Sequence, residues 1–418
     1  MQKNIRSDQY AAVSCRICHG NRLYKFLSLG SMPTPNGYLE KKDLNKKETL
    51  YPLGVCVCLD CWLVQLTHVV PAEIMFKNYL YIPSTSSTLM KNFRSIADDL
   101  ISRFAFKKNG LVVDVGSNDG TLLSFFQEKD MKVLGVDPAD NLAAAAELKG
   151  IKTVCDFFTS SLAEKIVREN GRAKIITSTN SFAHLNDLHD VCRAFSILLD
   201  TDGVCFLEFP YLVDTIDKNE FDTIYHEHLS YLSVSPIKML FEKNNLKILD
   251  LSRNPVHGGS LCVYLGKKDS PHKTTSALFR FLEEEKLKGL NSKSYYDEFA
   301  KRVRLIKKDL VNFLIRQKKL GKKIVGYGAS AKGNVLLNYC KINNKTINYV
   351  VDSIPYKQGR FTPGTHIPIF PESRLLADQP DFALLFSWTF AEEILDKQQS
   401  YREKGGRFII AIPSLCIE

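Results

Sequence analysis

Residues 111–126, LVVDVGSNDGTLLSFF, set a pattern that the middle of the chain repeats. An unbroken apolar run gives way to a glycine turn, then to apolar positions at three- and four-residue steps. Such a run fits a strand buried on both faces, and the steps after it fit an amphipathic helix. A second apolar strand, VLGVDPADN, ends in Asp137, and a third unit, TVCDFF, carries Asp156. KIITSTNSFAHLNDL predicts a fourth strand with Asn180 and His184 off its carboxyl end, and GVCFLEFPYL a fifth with Glu208. Residues 274–319 read as helices. The strand–glycine–helix unit then returns in KKIVGYGASAKGNVLLNYC, followed by INYVVDSIPYKQG, whose strand ends at Asp352, and by HIPIF and DFALLFSWTF.

This alternation predicts α/β architecture with two Rossmann-type units, each with its ligand crevice at the carboxyl ends of its strands. Gly116 and Gly120 allow positive φ and close backbone approach. Asp137, about twenty residues on, is placed to accept hydrogen bonds from a ribose diol. Nicotinamide dinucleotides and S-adenosylmethionine both use that arrangement. The loop here is G-x-x-x-G and lacks the G-x-G-x-x-G that seats a pyrophosphate, so S-adenosylmethionine is favoured, with Asp156 near the adenine amine. The second glycine loop (Gly326, Gly328, Lys332, Gly333) suits a phosphate at a helix N-terminus and equally a tight structural turn.

Cysteine usage adds a third module. Five of the eleven cysteines lie within the first 61 residues, and Cys15-x-x-Cys18 with Cys58-x-x-Cys61 form two knuckles able to complete a tetrahedral zinc site. Four cysteine ligands leave no open position, so the zinc is expected to be structural. Cys56 competes poorly, because C-x-C suits a knuckle less well. The other six cysteines stand singly, as reduced thiols in a cytoplasmic protein do. No run of 18 apolar residues and no apolar segment after Lys3 and Arg6 point to a membrane span or a secretory leader. The net charge of +10 is scattered, so a nucleic-acid partner is not expected. The expected divisions are residues 1–72 (zinc module), 73–268 (class I methyltransferase-type domain) and 269–418 (second Rossmann-like domain).

Residues 223–233, TIYHEHLSYLS, bring Tyr225, His226, Glu227 and His228 together. In a strand the two histidines would share a face; in a turn His226 becomes a structural hydrogen-bonder, the outcome favoured here. A metal at this segment lacks a third ligand, since Glu220 and Asp222 read as an ordinary polar approach. Proton transfer is the better reading, because histidine titrates near working pH. His257, before Gly258 and Gly259, is either a turn histidine or a site residue.

Taken in order, C-x2-C with C-x2-C, NYLYIPSTSST, VVDVGSNDGTLL, NSFAHLNDL, YHEHLSYLS, HGGSLCVY, GYGASAKGN and KQGRFTPGTHIPI span nearly the whole chain. In these the chain resembles the sugar C-methyltransferases of deoxysugar biosynthesis, which alkylate C3 of nucleotide-linked 4-keto-6-deoxyhexoses. The resemblance implies that Tyr79 and the loop with Ser84 and Ser87 close an S-adenosylmethionine site built from Gly116, Asn118, Asp137 and Asn180. It implies that His184, Tyr225, Glu227 and His228 face the sugar; the chemistry of carbon alkylation then favours His228 as base, Tyr225 and His184 as enolate stabilisers, and Glu227 to orient an imidazole or grip a sugar hydroxyl. Tyr327, Lys332, His257 and Arg360 of the KQGRFTPG loop would contact the nucleotide sugar. SWTF at residues 387–390 departs from the family's pattern, where an asparagine follows the tryptophan. The competing enzyme class is an NAD-dependent nucleotide-sugar oxidoreductase or epimerase using the second glycine loop. A monomer is expected, because three domains can enclose a site within one chain.

Overall fold

The computed structural model describes residues 10–71, 74–75, 87–255 and 258–418. Its strands form three sheets. The first takes β1 (Leu23–Met32), β2 (Tyr51–Cys58) and β3 (Val64–Leu66) from the N-terminal region. The central sheet comprises β4 (Leu111–Val115), β5 (Lys132–Val136), β6 (Thr153–Val154), β7 (Ala173–Thr179) and β8 (Leu199–Pro210). A distant strand, β9 (Ser230–Tyr231), returns to the first sheet, and the hairpin β10 (Leu246–Asn254) and β11 (Ser260–Lys267) completes the second. The third sheet holds β12 (Ile324–Tyr327), β13 (Val350–Asp352), β14 (Ile369–Pro371), β15 (Phe382–Leu385), β16 (Arg407–Ile410) and β17 (Cys416–Ile417).

In the central sheet the order is β10-β11-β8-β7-β4-β5-β6, with β11 antiparallel to both neighbours. The parallel strands are buried over most of their length, and Val112, Val113, Ile175 and Ile176 are fully enclosed. That is why these segments read as apolar runs without alternation. The chain leaves β4 towards β5 and β6, then returns to place β7 on the other side of β4. This reversal opens a crevice beyond the carboxyl ends of β4 and β7. The order is that of a class I methyltransferase sheet. The third sheet, β14-β13-β12-β15-β16-β17, repeats the device, its reversal lying between β12 and β15.

The three sheets share one apolar cluster running from Leu29 and Val57 through Phe182 and Leu229 to Leu337 and Phe386. The helix Lys293–Lys319 straps the parts together: Tyr296 packs on Phe26 of β1, and Asp297 accepts from Tyr24 at 2.9 Å. On the same helix Arg302 donates to the Asn219 side chain and the Ile216 carbonyl. Burial on this scale, at about 25 cal/mol per Å² of apolar surface, makes independent motion of the parts costly. Among the described residues no helix is long and apolar enough to cross a membrane.

Candidate functional site

Cys15, Cys18, Cys58 and Cys61 converge with all four sulfurs within 4.8 Å of one another, the donor set and spacing of a tetrahedral zinc centre. The two knuckles have the same backbone. His19 N–H donates to the Cys15 carbonyl and Trp62 N–H to the Cys58 carbonyl, and both His19 and Trp62 take positive φ, near +63° and +64°. The backbone N–H groups of Ile17, Gly20 and Asp60 point at sulfurs at 3.4 Å, which offsets thiolate charge. Cys56 sits on β2 and donates to the Gln65 carbonyl, outside the cluster.

Arg16, inside the first knuckle, reaches into the central domain. Its guanidinium donates to the carbonyls of Leu185 (2.7 Å) and Asn186, and to Ser230 Oγ at 3.2 Å. His189 Nε2 donates to the Ile17 carbonyl at 2.8 Å, and Ser230 and Tyr231 pair with Gln65 and Val64 as β9. The knuckle therefore holds both the loop after His184 and the segment after His228.

One cavity of about 600 Å³ lies between the two strand reversals. Its central-domain wall includes Gly116, Asn118, Asp137, Asp156, Asn180 and His184. Gly116 has φ +78°, and a Cβ there would stand 2.6 Å from that of Ser181, so only glycine fits. Asn118 and Asn180 both take positive φ, at +51° and +55°, one beyond each strand of the reversal. Asp137 accepts from Asn118 N–H and Ala139 N–H, one per carboxylate oxygen, both at 2.9 Å. Each oxygen keeps a second lone pair for a diol, and burial raises the carboxyl's pKa. Phe157, exposed beside Asp156, offers an aromatic face to the cavity. These features fit an adenosyl group. Gly120 caps the helix Thr121–Gln127 at φ +74°, against Ile151, and does not line the cavity.

The residues around 225 form a turn, not a strand, closed by His228 N–H on the Tyr225 carbonyl at 2.9 Å. The turn separates the two histidines. His228, Tyr225 and Thr223 line the cavity, whereas His226 points back to β2, its Nε2 donating to the Tyr51 carbonyl at 3.3 Å. Burial lowers His226 to about 4. The His228 ring lies 3.9 Å from Tyr225 and 4.9 Å from His184, centroid to centroid. Its Nδ1 lies 2.8 Å from the Thr223 carbonyl oxygen, which fixes the proton on Nδ1 and makes Nε2 the basic nitrogen. Burial pushes His184 down to about 4, so its imidazole is neutral near pH 7.

Glu227 stands apart from the set expected at the sugar. It does not line the cavity, and its two oxygens accept from Asn36 Nδ2 at 2.8 and 3.0 Å. Tyr327 and Lys332 do line it, with Lys357 and Lys397. Arg360 does not: its backbone is fastened to Lys357 and Ile369 beside the Leu39–Phe361 bridge, which turns this stretch towards the N-terminal module. Glu220 and Asp222 are buried, not on an open approach. Lys332 stands 3.8 Å from Glu220, and Trp388 Nε1 donates to Asp222 at 2.8 Å. Burial raises Glu220 to about 7 even with Lys332 present. Trp388 is thus occupied beneath the site, while Ser387, Thr389 and Phe390 line it. Tyr79, Ser84 and His257 lie outside the described residues, as does the side chain of Ser87.

Several cavity residues were not singled out in the reading of the chain, among them Asp114, Asn36, Tyr38 and Lys357. Asp114, buried on β4, accepts from Thr177 at 2.7 Å and is raised to about 7 by burial. An acidic residue two before the loop glycine was a usable signal. Lys357 opens the KQGRFTPG loop already expected near the nucleotide sugar, whereas Asn36 and Tyr38 had no signal, because the fold alone brings them here. At the end of β13, Asp352 is engaged by Lys357 at 3.5 Å and by Ile354 N–H at 2.8 Å. A dinucleotide ribose would have to displace that ion pair, which weighs against the oxidoreductase alternative.

Three family matches tile the chain: a zinc binding domain over residues 15–76, a methyltransferase domain over 90–251 and a C-methyltransferase C-terminal domain over 255–413. The C-methyltransferase NovU of Streptomyces niveus is 37% identical over 402 residues, covering 96% of this chain and 95% of NovU. Solved structures that align are more remote. An S-adenosylmethionine-dependent methyltransferase from Clostridium acetobutylicum is 12% identical and covers 43% of this chain and 92% of its own, with a TM-score of 0.34. Magnesium protoporphyrin IX methyltransferase from Synechocystis is 13% identical over 43% of this chain and 79% of its own, with a TM-score of 0.33. At that distance neither bears on activity.

Proposed function

Given that the chain belongs to the C-methyltransferase family that includes NovU, we propose that it methylates C3 of a nucleotide-linked 4-keto-6-deoxy sugar using S-adenosylmethionine. The observation that carries this reading is the placing of His228. His228 lines a cavity bounded by Asp137 on one side and by Lys332 and a glycine-loop helix N-terminus on the other, with its Nδ1 taken by the Thr223 carbonyl. Carbon alkylation needs a carbon nucleophile, and a proton next to a ketone is acidic enough for an imidazole to remove.

On this reading His228 takes the C3 proton, its tautomer held by the Thr223 carbonyl. Tyr225 and neutral His184 donate to the C4 oxygen as negative charge develops there, and such donors typically contribute a few kcal/mol. S-adenosylmethionine, when bound, supplies a methyl group already activated on a sulfonium. Asp137 orients the ribose, Phe157 and Asp156 the adenine, and Asp114 stands at the mouth of β4 to meet a cationic amino group. Lys332 and Lys397 supply positive charge for a diphosphate. Ser330, which caps the helix Ala331–Cys340 by accepting from Gly333 N–H, leaves that helix's first turn turned to the same end. A soluble small substrate, with no nucleic acid and no membrane, completes the reading.

The test is incubation with S-adenosylmethionine and a panel of dTDP-, GDP- and CDP-linked 4-keto-6-deoxyhexoses. A mass gain of one methylene on one member is expected. No gain with any member, alongside methylation of an unrelated ketone, would overturn the sugar assignment.

A further inference from the structure

We propose that Asn36 is a specificity-determining residue that reads a hydrogen-bond donor on the carbon to be methylated, and that Glu227 is the positioning residue that aims it. The inference rests on the sugar-methylation reading above and assigns part of that site to the N-terminal module.

Asn36 lines the cavity and bonds Glu227. It lies in the stretch between β1 and β2 that crosses from the zinc module to the third sheet, where Tyr38 Oη donates to the Ala329 carbonyl at 2.6 Å. Asn334 Nδ2 in turn donates to the Pro35 carbonyl at 2.7 Å, pinning the backbone next to Asn36. A carboxylate is an acceptor only, so an amide facing it must present its NH₂ group. Both Glu227 oxygens take that group, at 2.8 and 3.0 Å. Oδ1 of Asn36 is thereby turned away from Glu227, on a residue that lines the same cavity as Tyr225 and His228. An aimed carbonyl oxygen recognises an O–H or N–H, and a C3 hydroxyl or amine on the sugar is the donor next to the reacting carbon. This also gives the buried Glu227 a purpose without substrate contact.

Two substrates separate the possibilities: the turned-over nucleotide-linked 4-keto-6-deoxyhexose, and its analogue with hydrogen replacing the C3 substituent. Methylation of the first by the unaltered protein tests the functional reading, and the ratio of kcat/KM between the two tests Asn36. The unaltered protein is expected to prefer the substituted sugar by about tenfold or more, as sites that hydrogen-bond a substrate group do. In Asn36→Ala that ratio should fall to about one. In Glu227→Gln, whose amide satisfies Asn36 in either orientation, the ratio should fall similarly, with KM rising more than kcat drops. Thermal melting of each variant reports folding separately. A ratio that stays unchanged in both variants, or losses equal on both substrates, overturns the proposal.

Discussion

Arg16 Nη2 donates to the Leu185 carbonyl at 2.7 Å across 169 residues of sequence, joining the first zinc knuckle to the residue that follows His184. The four-cysteine module is thereby tied to the cavity wall, which Leu185 lines. Arg16→Met should leave four cysteines able to hold one zinc per chain while lowering kcat about tenfold, because a misplacement near 1 Å at a catalytic group is that costly or more. Metal content and turnover on the same preparation check this. An unchanged kcat would show that the knuckle only stabilises the fold.

His228→Asn keeps a side chain that can bond the Thr223 carbonyl and removes the base. Turnover should drop by about 10²–10⁴-fold, the usual contribution of a positioned general base. Calorimetric affinity for S-adenosylmethionine should stay within about twofold. Undiminished methylation would remove His228 from the mechanism.

Burial lowers His226 from 6.5 to about 4, with His68 adding a smaller repulsion. Below pH 6.5 the unfolded chain binds a proton there that the folded one refuses, so folding stability is lost as pH falls from 6.5 towards 4 and levels off beneath. The loss is of order 3 kcal/mol at most. His226→Gln should flatten this limb of the melting temperature against pH. A variant curve parallel to the parent's across that window would show that other groups carry the acid limb.

Gly116→Ala places a methyl 2.6 Å from the Ser181 Cβ at a φ of +78°. The loop must shift, at a cost of about 2 kcal/mol or more. Affinity for S-adenosylmethionine should fall at least tenfold by calorimetry, with a lowered melting temperature. Gly150→Ala, at φ +76° with open space around it, is the control: it carries the backbone strain alone and should leave cofactor affinity intact.

The chain alone determined the local features whose cause is local. Apolar runs without alternation marked β4, β5, β7 and β8, since strands covered on both faces admit no polar side. Glycine turns marked the strand ends, and the cysteine spacing marked the zinc knuckles, because two thiolates on one tight turn are already half a site. Even the YHEH segment was legible as a cluster of titratable groups. What it could not disclose was direction. His226 and His228 part company because a turn closes at Tyr225, and β9 forms because β3 offers an edge to it, neither of which is written in the segment itself. Asn36 and Lys357 reach the cavity, and Arg16 the loop after His184, only through the packing of three sheets on one apolar core. Glu227, expected to face the sugar, is met by the Asn36 amide, and Arg360, expected near the nucleotide sugar, does not line the cavity. Side-chain direction over such distances is a property of the packed whole, fixed by which surfaces are buried together.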